Sequence, residues 1–172
     1  MKFDVILIGA GPAGIFCAIE AAERGAKVCV LEKNDAPGKK LLIAGSGRCN
    51  LTHSGDIKDF FSHYGEKDRF VKPALMNFTN EKLTEFFAAL DLELKEMNDG
   101  KIFPVTEKGA DVLRVLIEKC NALGVTIQYG SPVKLVEKSP KGFTVETDNG
   151  TYKSKKLVVA TGGRSYPATG NG

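Results

Sequence analysis

Three glycines spaced G-x-G-x-x-G, Gly9, Gly11 and Gly14, stand between an apolar run and a helix-forming run near the start of the chain. An acid, Glu32, follows 18 residues after the last of them. These residues in this order can hold a dinucleotide by its pyrophosphate. Gly9 lets the chain turn sharply, Gly11 leaves out a side chain where a phosphate must approach, and Gly14 lets a helix pack close on its strand. Pro12 suits the first helical turn, where its missing N–H has no intrahelical partner anyway. The helix N-terminus then presents its N–H groups and the positive end of its dipole to the phosphates. Glu32 is placed to accept hydrogen bonds from ribose hydroxyls, and its charge disfavours a 2′-phosphate. Glycines that merely punctuate a strand and a helix are the plainer alternative, and the register of strand, helix, second strand and acid tells against it.

Other reactive residue types offer less. Cys17, Cys29, Cys49 and Cys120 are scattered without CxxC spacing, which predicts reduced, packed thiols and no metal site. Cys49 lies between Arg48 and Asn50, and a neighbouring cation can lower a thiol pKa. With no partner cysteine in sequence and no helix start to activate it, packing is the expected role. No orienting carboxylate accompanies His53 or His63, so both are expected on loops or the surface. No catalytic acid or base is assigned.

The elements that must position these groups follow from periodicity. Residues 4–8 and 27–31 are apolar runs suited to parallel strands, and 12–24 reads as a helix stopped by Gly25. The stretch NDAPGKKLLIAGSGRCNLTHSGD is too apolar in its middle for a linker and too broken by glycine for a regular element. One or two short helices punctuated by Pro73 are expected over 57–78, then a helix capped by Thr79 running to Leu90. LELKEM, NDG and KIFP predict a hairpin, and 111–123 a helix with Val112, Leu116 and Cys120 on one stripe. VTIQY is expected as a short buried strand. PVKLVEK, GFTVET and GTYKS form an antiparallel meander, and LVVATGG a separate buried parallel strand ending in glycines. The expected fold is thus α/β: a Rossmann-like domain over 1–172, with a three-stranded meander and a helical insertion near 57–123.

NAD and FAD share their ADP half, so the glycine turn does not separate them. A minimal NAD-binding unit has no use for the long loop after the acid, whereas an extended flavin needs backbone and polar side chains beyond the ADP site. Lys40 and Arg48 there could offset phosphate charge or steady a reduced flavin. A strand ending in Thr-Gly-Gly places bare backbone beside the nucleotide. Both features favour FAD.

GAGPAG with its downstream EK, the meander before LVVATGG, and above all GKKLLIAGSGRCNLT and IFPVTEKGADVL resemble the HI0933-like flavoproteins. These are FAD-dependent oxidoreductases with a glutathione-reductase-like FAD domain, some called aminoacetone oxidase-like or bile-acid dehydro-reductases. The resemblance covers nearly the whole chain. It implies that Gly9, Gly11, Pro12, Ala13 and Gly14 hold the pyrophosphate, and Glu32 and Lys33 the adenine-side ribose. It further implies that Val133 meets the adenine through its backbone. Lys40, Arg48, Cys49 and Asn50 would lie along the ribityl chain or flavin, with Thr161, Gly162 and Gly163 beside the cofactor. Two departures are mild: AGSGRCN stands where the family has SGGGRCN, and TGN where it has TGS. The family continues into a substrate domain and then returns to finish the FAD domain. The chain is therefore expected to be the N-terminal part of such a protein, incomplete at its C-terminus and unable to sustain turnover by itself.

Composition is in keeping with this. The 172 residues are 42% hydrophobic and 26% charged, ordinary for a globular domain, and no apolar run approaches the ~20 residues of a membrane span. A cytoplasmic location is expected. A net charge of +3 is too small to argue for nucleic acid, and the lysines of KSPKG and KSKK read as solvated faces. The leading expectation is an FAD-dependent oxidoreductase moving hydride between NAD(P)H and a small-molecule substrate. A dinucleotide-binding module without turnover, an NAD-dependent dehydrogenase and an RNA-associated flavoprotein are the alternatives.

Overall fold

Apolar β-branched runs build the centre of the sheet, because such strands bury both faces. In the computed structural model, which describes residues 1–166 and Thr169, these runs become β1 (Lys2–Ile8) and β2 (Val28–Leu31). Every residue of β2 is buried. Burying an aliphatic side chain of this size contributes about 1.5–3 kcal/mol, so β2 is a principal anchor of the sheet. Between them α1 (Pro12–Glu23) starts at Gly11 and buries Gly14, Ile15, Ala18 and Ile19 on one stripe. It ends at Glu23, one residue short of the expected end, with Arg24 as its C-cap and Gly25 following at φ +80°.

The chain divides into two compact units: Met1–Leu42 with Leu113–Gly172, and Ile43–Val112. The first carries a six-stranded sheet in the order β6-β2-β1-β9-β8-β7. Here β6 is Thr126–Gln128, β7 Val133–Ser139, β8 Gly142–Thr147 and β9 Gly150–Val159. The strands β6, β2, β1 and β9 run parallel, and β9, β8 and β7 are antiparallel.

Two strand expectations change. The third meander run and LVV are one strand, because β9 pairs antiparallel with β8 over Gly150–Ser154 and parallel with β1 over Lys153–Val159. Its far end is not buried: Leu157 and Val158 are half-buried and Val159 is exposed. VTIQY likewise forms an edge strand, half-buried through 126–128. One core cluster lies where the parallel and antiparallel parts join, around Phe3, Ile6, Cys29, Leu31, Val145 and Tyr152.

In the second unit, the stretch expected to lack regular structure contains β3 (Thr52–His53), and α2 (Lys39–Ile43) precedes it across the boundary. The expected hairpin is present as β4 (Leu94–Glu96) and β5 (Lys101–Pro104), and β3 adds a third strand to it. A 3₁₀ segment, Asp59–Lys67, kinks at Gly65 and leads into α3 (Asp68–Asn77). Pro73 lies inside α3 and does not end it; none of that helix is buried, so the carbonyl that loses its N–H partner can be hydrated. The helix α4 (Asn80–Ala88) has Thr79 as its N-cap, with Oγ1 accepting the Lys82 N–H at 3.2 Å. The last helix, α5 (Gly109–Ala122), buries Val112, Leu116 and Cys120.

Because Thr79 satisfies a helix-start N–H, Thr79→Ala should destabilise the protein by about 1 kcal/mol. A urea unfolding curve with an unchanged midpoint would show that the cap contributes nothing.

Candidate functional site

β2 lies on one side of β1 and β9 on the other, so the strand order reverses direction at β1. Ligands of open α/β sheets bind at the carboxyl ends of strands at such a switch point. A cavity of about 310 Å³ opens there, lined by Ile8 and Gly9 at the end of β1, Leu31 and Glu32 at the end of β2, and Ala160 and Thr161 after β9. Gly11, Pro12 and Ala13, Lys33, Lys40, Val133 and Gly162 also line it. Among the expected site residues, these therefore come together.

The three motif glycines differ physically. Gly9 has φ +105°, and a Cβ there would sit 2.5 Å from the Ala160 carbonyl oxygen. A Cβ on Gly14 would collide with the Gly9 carbonyl. A Cβ on Gly11 would meet nothing within 4 Å and would project into open space. The first intrahelical bond runs from the Ile15 N–H to the Gly11 carbonyl at 2.9 Å, so the Ala13 and Gly14 N–H groups have no acceptor within the helix. Among the described residues no side chain caps them. An anion over Gly11 would find room, free donors and the helix dipole together, which is the fit a pyrophosphate requires.

Glu32 is 7% exposed and already tied into the protein. Its Oε2 accepts the Ala10 N–H at 2.7 Å. Its Oε1 accepts the Asn34 N–H at 2.9 Å and the Asn34 side-chain amide at 2.7 Å. A carboxylate offers about four acceptor sites, so three are engaged and about one is left for a ribose hydroxyl. Asn34 Oδ1 accepts from Lys39 Nζ at 3.1 Å, and Lys39 also pairs with Asp35 at 3.3 Å. Lys40 Nζ donates to the Gly163 carbonyl at 3.0 Å across the cleft mouth. Asn34, Lys39 and Gly38 line the cavity and were not singled out from sequence. The only sign of Asn34's role is an amide two residues after the acid.

Arg48, Cys49 and Asn50 belong to the second unit. Arg48 lies 4.9 Å from the centroid of the Phe103 ring and pairs with Glu107 at 3.3 Å. Lys95, 2.6 Å from Glu107, and then Arg48 hold the Glu107 carboxyl below the usual range. Cys49 is buried at φ +59°, and burial pushes its thiol up, opposite to activation by Arg48. Burial pushes Cys29 up to about 12 and Cys120 up to about 11. With its amide turned to suit its neighbours, Asn50 donates to the Thr52 and Ile102 carbonyls. Residues 167–168 and 170–172, which include most of the TGN departure, lie outside the described residues.

His53 is exposed, yet its Nδ1 faces the Ser54 carbonyl and its Nε2 the Asp99 carbonyl, both at 2.7 Å. Two acceptors suit the doubly protonated ring, and these bonds raise its pKa above the usual value.

The chain matches the model of the HI0933-like protein Rossmann domain over residues 3–172. It is 32% identical over 169 residues to a ribosomal RNA dihydrouridine synthase of Escherichia coli (strain K12), covering 98% of this chain and 42% of that protein. It is 34% identical over 167 residues to a 3-dehydro-bile acid delta(4,6)-reductase of Clostridium scindens, covering 96% and 40%. The chain thus spans about two fifths of the length of these curated relatives. A 3-ketosteroid-delta4-(5alpha)-dehydrogenase structure from Rhodococcus jostii RHA1 matches with a TM-score of 0.67 at 17% identity, covering 94% of this chain and 46% of that one. At that identity the likeness is one of fold.

The glycine geometry predicts a separation of folding from binding. Gly9→Ala and Gly14→Ala should each lower the thermal midpoint clearly, because each Cβ meets backbone that has nowhere to go. Gly11→Val should lower the midpoint far less than these, by no more than the loss of a favourable N-cap, while blocking dinucleotide binding measured by calorimetry. Retained binding in that variant refutes the pyrophosphate placement.

For His53 the folded pKa is raised, so its contribution to stability is complete below the unfolded value of about 6.5 and is lost as pH rises through the folded value. Urea midpoints of wild type and His53→Ala should differ most at pH 5.5 and converge toward alkaline pH. A difference that grows with pH contradicts this assignment.

Proposed function

The chain belongs to the HI0933-like family, and from that premise we propose that it is the FAD-binding part of an oxidoreductase. The observation that carries the proposal is the open space over Gly11 at the switch point, walled by N–H groups at the start of α1 that have no partner among the described residues. Gly9, Gly11, Pro12, Ala13 and Gly14 hold the pyrophosphate, Glu32 and Lys33 the ribose, and Val133 the adenine edge. Thr161, Gly162 and Gly163 border the cofactor, and Lys40 offsets its charge. Arg48, Cys49 and Asn50 serve the ribityl and flavin end. When bound, FAD would supply hydride transfer between NAD(P)H and the substrate. The chain's own residues bind and orient it and set the charge around it.

Two relatives that match almost all of this chain are named for an RNA and for a bile acid. What the shared segment contributes in common is the nucleotide cleft, and substrate choice is proposed to reside in other parts of the full-length proteins. A small-molecule substrate in the cytoplasm is the primary proposal. The ribosomal RNA dihydrouridine synthase supports RNA as the second. Among the described residues no helix is long and apolar enough to cross a membrane.

The purified protein should be yellow, or become so on adding FAD, and should release unmodified FAD on denaturation. NADPH or NADH added without oxygen should bleach flavin bound to the full-length protein. A colourless protein that takes up NAD instead would overturn the assignment. Structured RNA retained on the full-length protein with a steep salt dependence would favour the second reading over the first.

A further inference from the structure

Glu32 is expected to meet the ribose, yet a carboxylate at a strand end could swing to several rotamers. In this chain it is held from two sides. Ala10 grips Oε2 through its N–H, and Asn34 grips Oε1 through both its backbone N–H and its side-chain amide. The amide could in principle be reversed, which would set its oxygen against the carboxylate. Lys39 prevents this: an ammonium has only donors, and it occupies Asn34 Oδ1 at 3.1 Å, leaving the NH₂ end to face Glu32. The backbone agrees, since Asn34's own carbonyl accepts from the Gly130 N–H at 2.8 Å and so fixes the turn that carries the amide.

We propose that Asn34, oriented by Lys39, is a positioning residue that aims the Glu32 carboxylate into the cleft. There it sets selectivity for an unmodified adenine-side ribose over one bearing a 2′-phosphate. The proposal rests on the dinucleotide reading of the cleft. Its physical basis is that a carboxylate fixed at the cleft wall accepts one ribose hydroxyl and repels a dianionic phosphate at the same place. A carboxylate free to rotate can turn away from that phosphate. Asn34 acts through Glu32 and need not touch the ligand.

The test measures binding of ADP-ribose and of 2′-phospho-ADP-ribose to the flavin-free protein by calorimetry. It compares wild type, Asn34→Ala, Glu32→Gln and the double variant. Both probes carry the same pyrophosphate and adenine, so a general loosening of the cleft weakens them alike and leaves their ratio unchanged. Wild type should prefer ADP-ribose. Asn34→Ala should reduce that preference about tenfold or more, the change expected when a hydrogen bond to a charged group is lost. In the Glu32→Gln background, Asn34→Ala should change the ratio little further, because the charge it aims is gone. Equal weakening of both probes by Asn34→Ala makes Asn34 merely structural and overturns the inference, while the dinucleotide cleft stands. A wild-type ratio near one, or a Glu32→Gln ratio equal to wild type, overturns it too, since Glu32 would then not meet the ribose. If neither probe nor FAD binds wild type, the cleft itself has been misassigned and the proposed function falls first.

Discussion

At the carboxyl end of β1 three stretches of backbone meet with no room for a side chain. Gly9 turns against the Ala160 carbonyl, Gly14 sits on the Gly9 carbonyl, and the Ala160 N–H donates to Ile8 at 2.9 Å. This closeness brings the start of α1 over the strand ends, and nothing bulkier than hydrogen at residues 9 and 14 permits it. Two further bonds hold the turn in place: the Gly9 N–H donates to Leu31, and the Ala10 carbonyl accepts from Gly38. The cleft is therefore a consequence of backbone packing, and Gly11 is the one motif glycine whose missing side chain leaves space for something other than protein.

The same constraint explains why β9 matters more than a closing strand would. Its first half completes the antiparallel meander, which buries Val145 and Tyr152, and its second half lies along β1 and delivers Ala160 to the cleft. Because one strand does both, a shift in the meander's register would move Ala160 relative to Gly9. A slip of one residue would also turn Tyr152 from the core to solvent, so core packing holds the cleft wall in register. Asn149, in the turn before β9, donates to the Gly130 carbonyl and Ser131 Oγ at 2.9 Å, and the Ser131 N–H donates to the Glu32 carbonyl. The meander and the acid at the end of β2 are thus tied together.

Local patterns were legible where a feature depends on neighbours in sequence. The strands around residues 4–8 and 27–31, α1 with its glycine turn, the Thr79 cap and the NDG hairpin all follow from periodicity, capping and turn chemistry. What failed depended on distant partners. The runs TYKS and LVV carry different patterns because the first half of β9 alternates buried Tyr152 and Ser154 with exposed residues beside antiparallel β8, whereas the second half lies along parallel β1, so they read as two elements. Burial of LVV was overestimated because apolar composition does not say what covers a strand end. Pro73 punctuates the sequence pattern, yet an exposed helix tolerates it. In the site, glycines and the acid announced themselves, whereas Asn34 and Lys39 gain meaning only when the loop after β2 folds back on Glu32.

That fold-back changes what kind of residue Glu32 is. An acid waiting only for a ribose would be a buried charge without partners until ligand arrived, a costly state for the empty protein. With Ala10 and Asn34 donating to it, the charge is satisfied before any nucleotide binds, and the glycine turn is braced by the same carboxylate that faces the ligand. The cleft is in this sense preorganised: its shape is fixed by protein–protein hydrogen bonds, and a ligand adds one more acceptor–donor pair without having to order the wall. The cost is that folding and recognition share a residue. Loss of ligand on replacing Glu32 would by itself say little, because the turn around Ala10 loosens at the same time. Only a comparison of two ligands that differ at the ribose separates the charge from the brace.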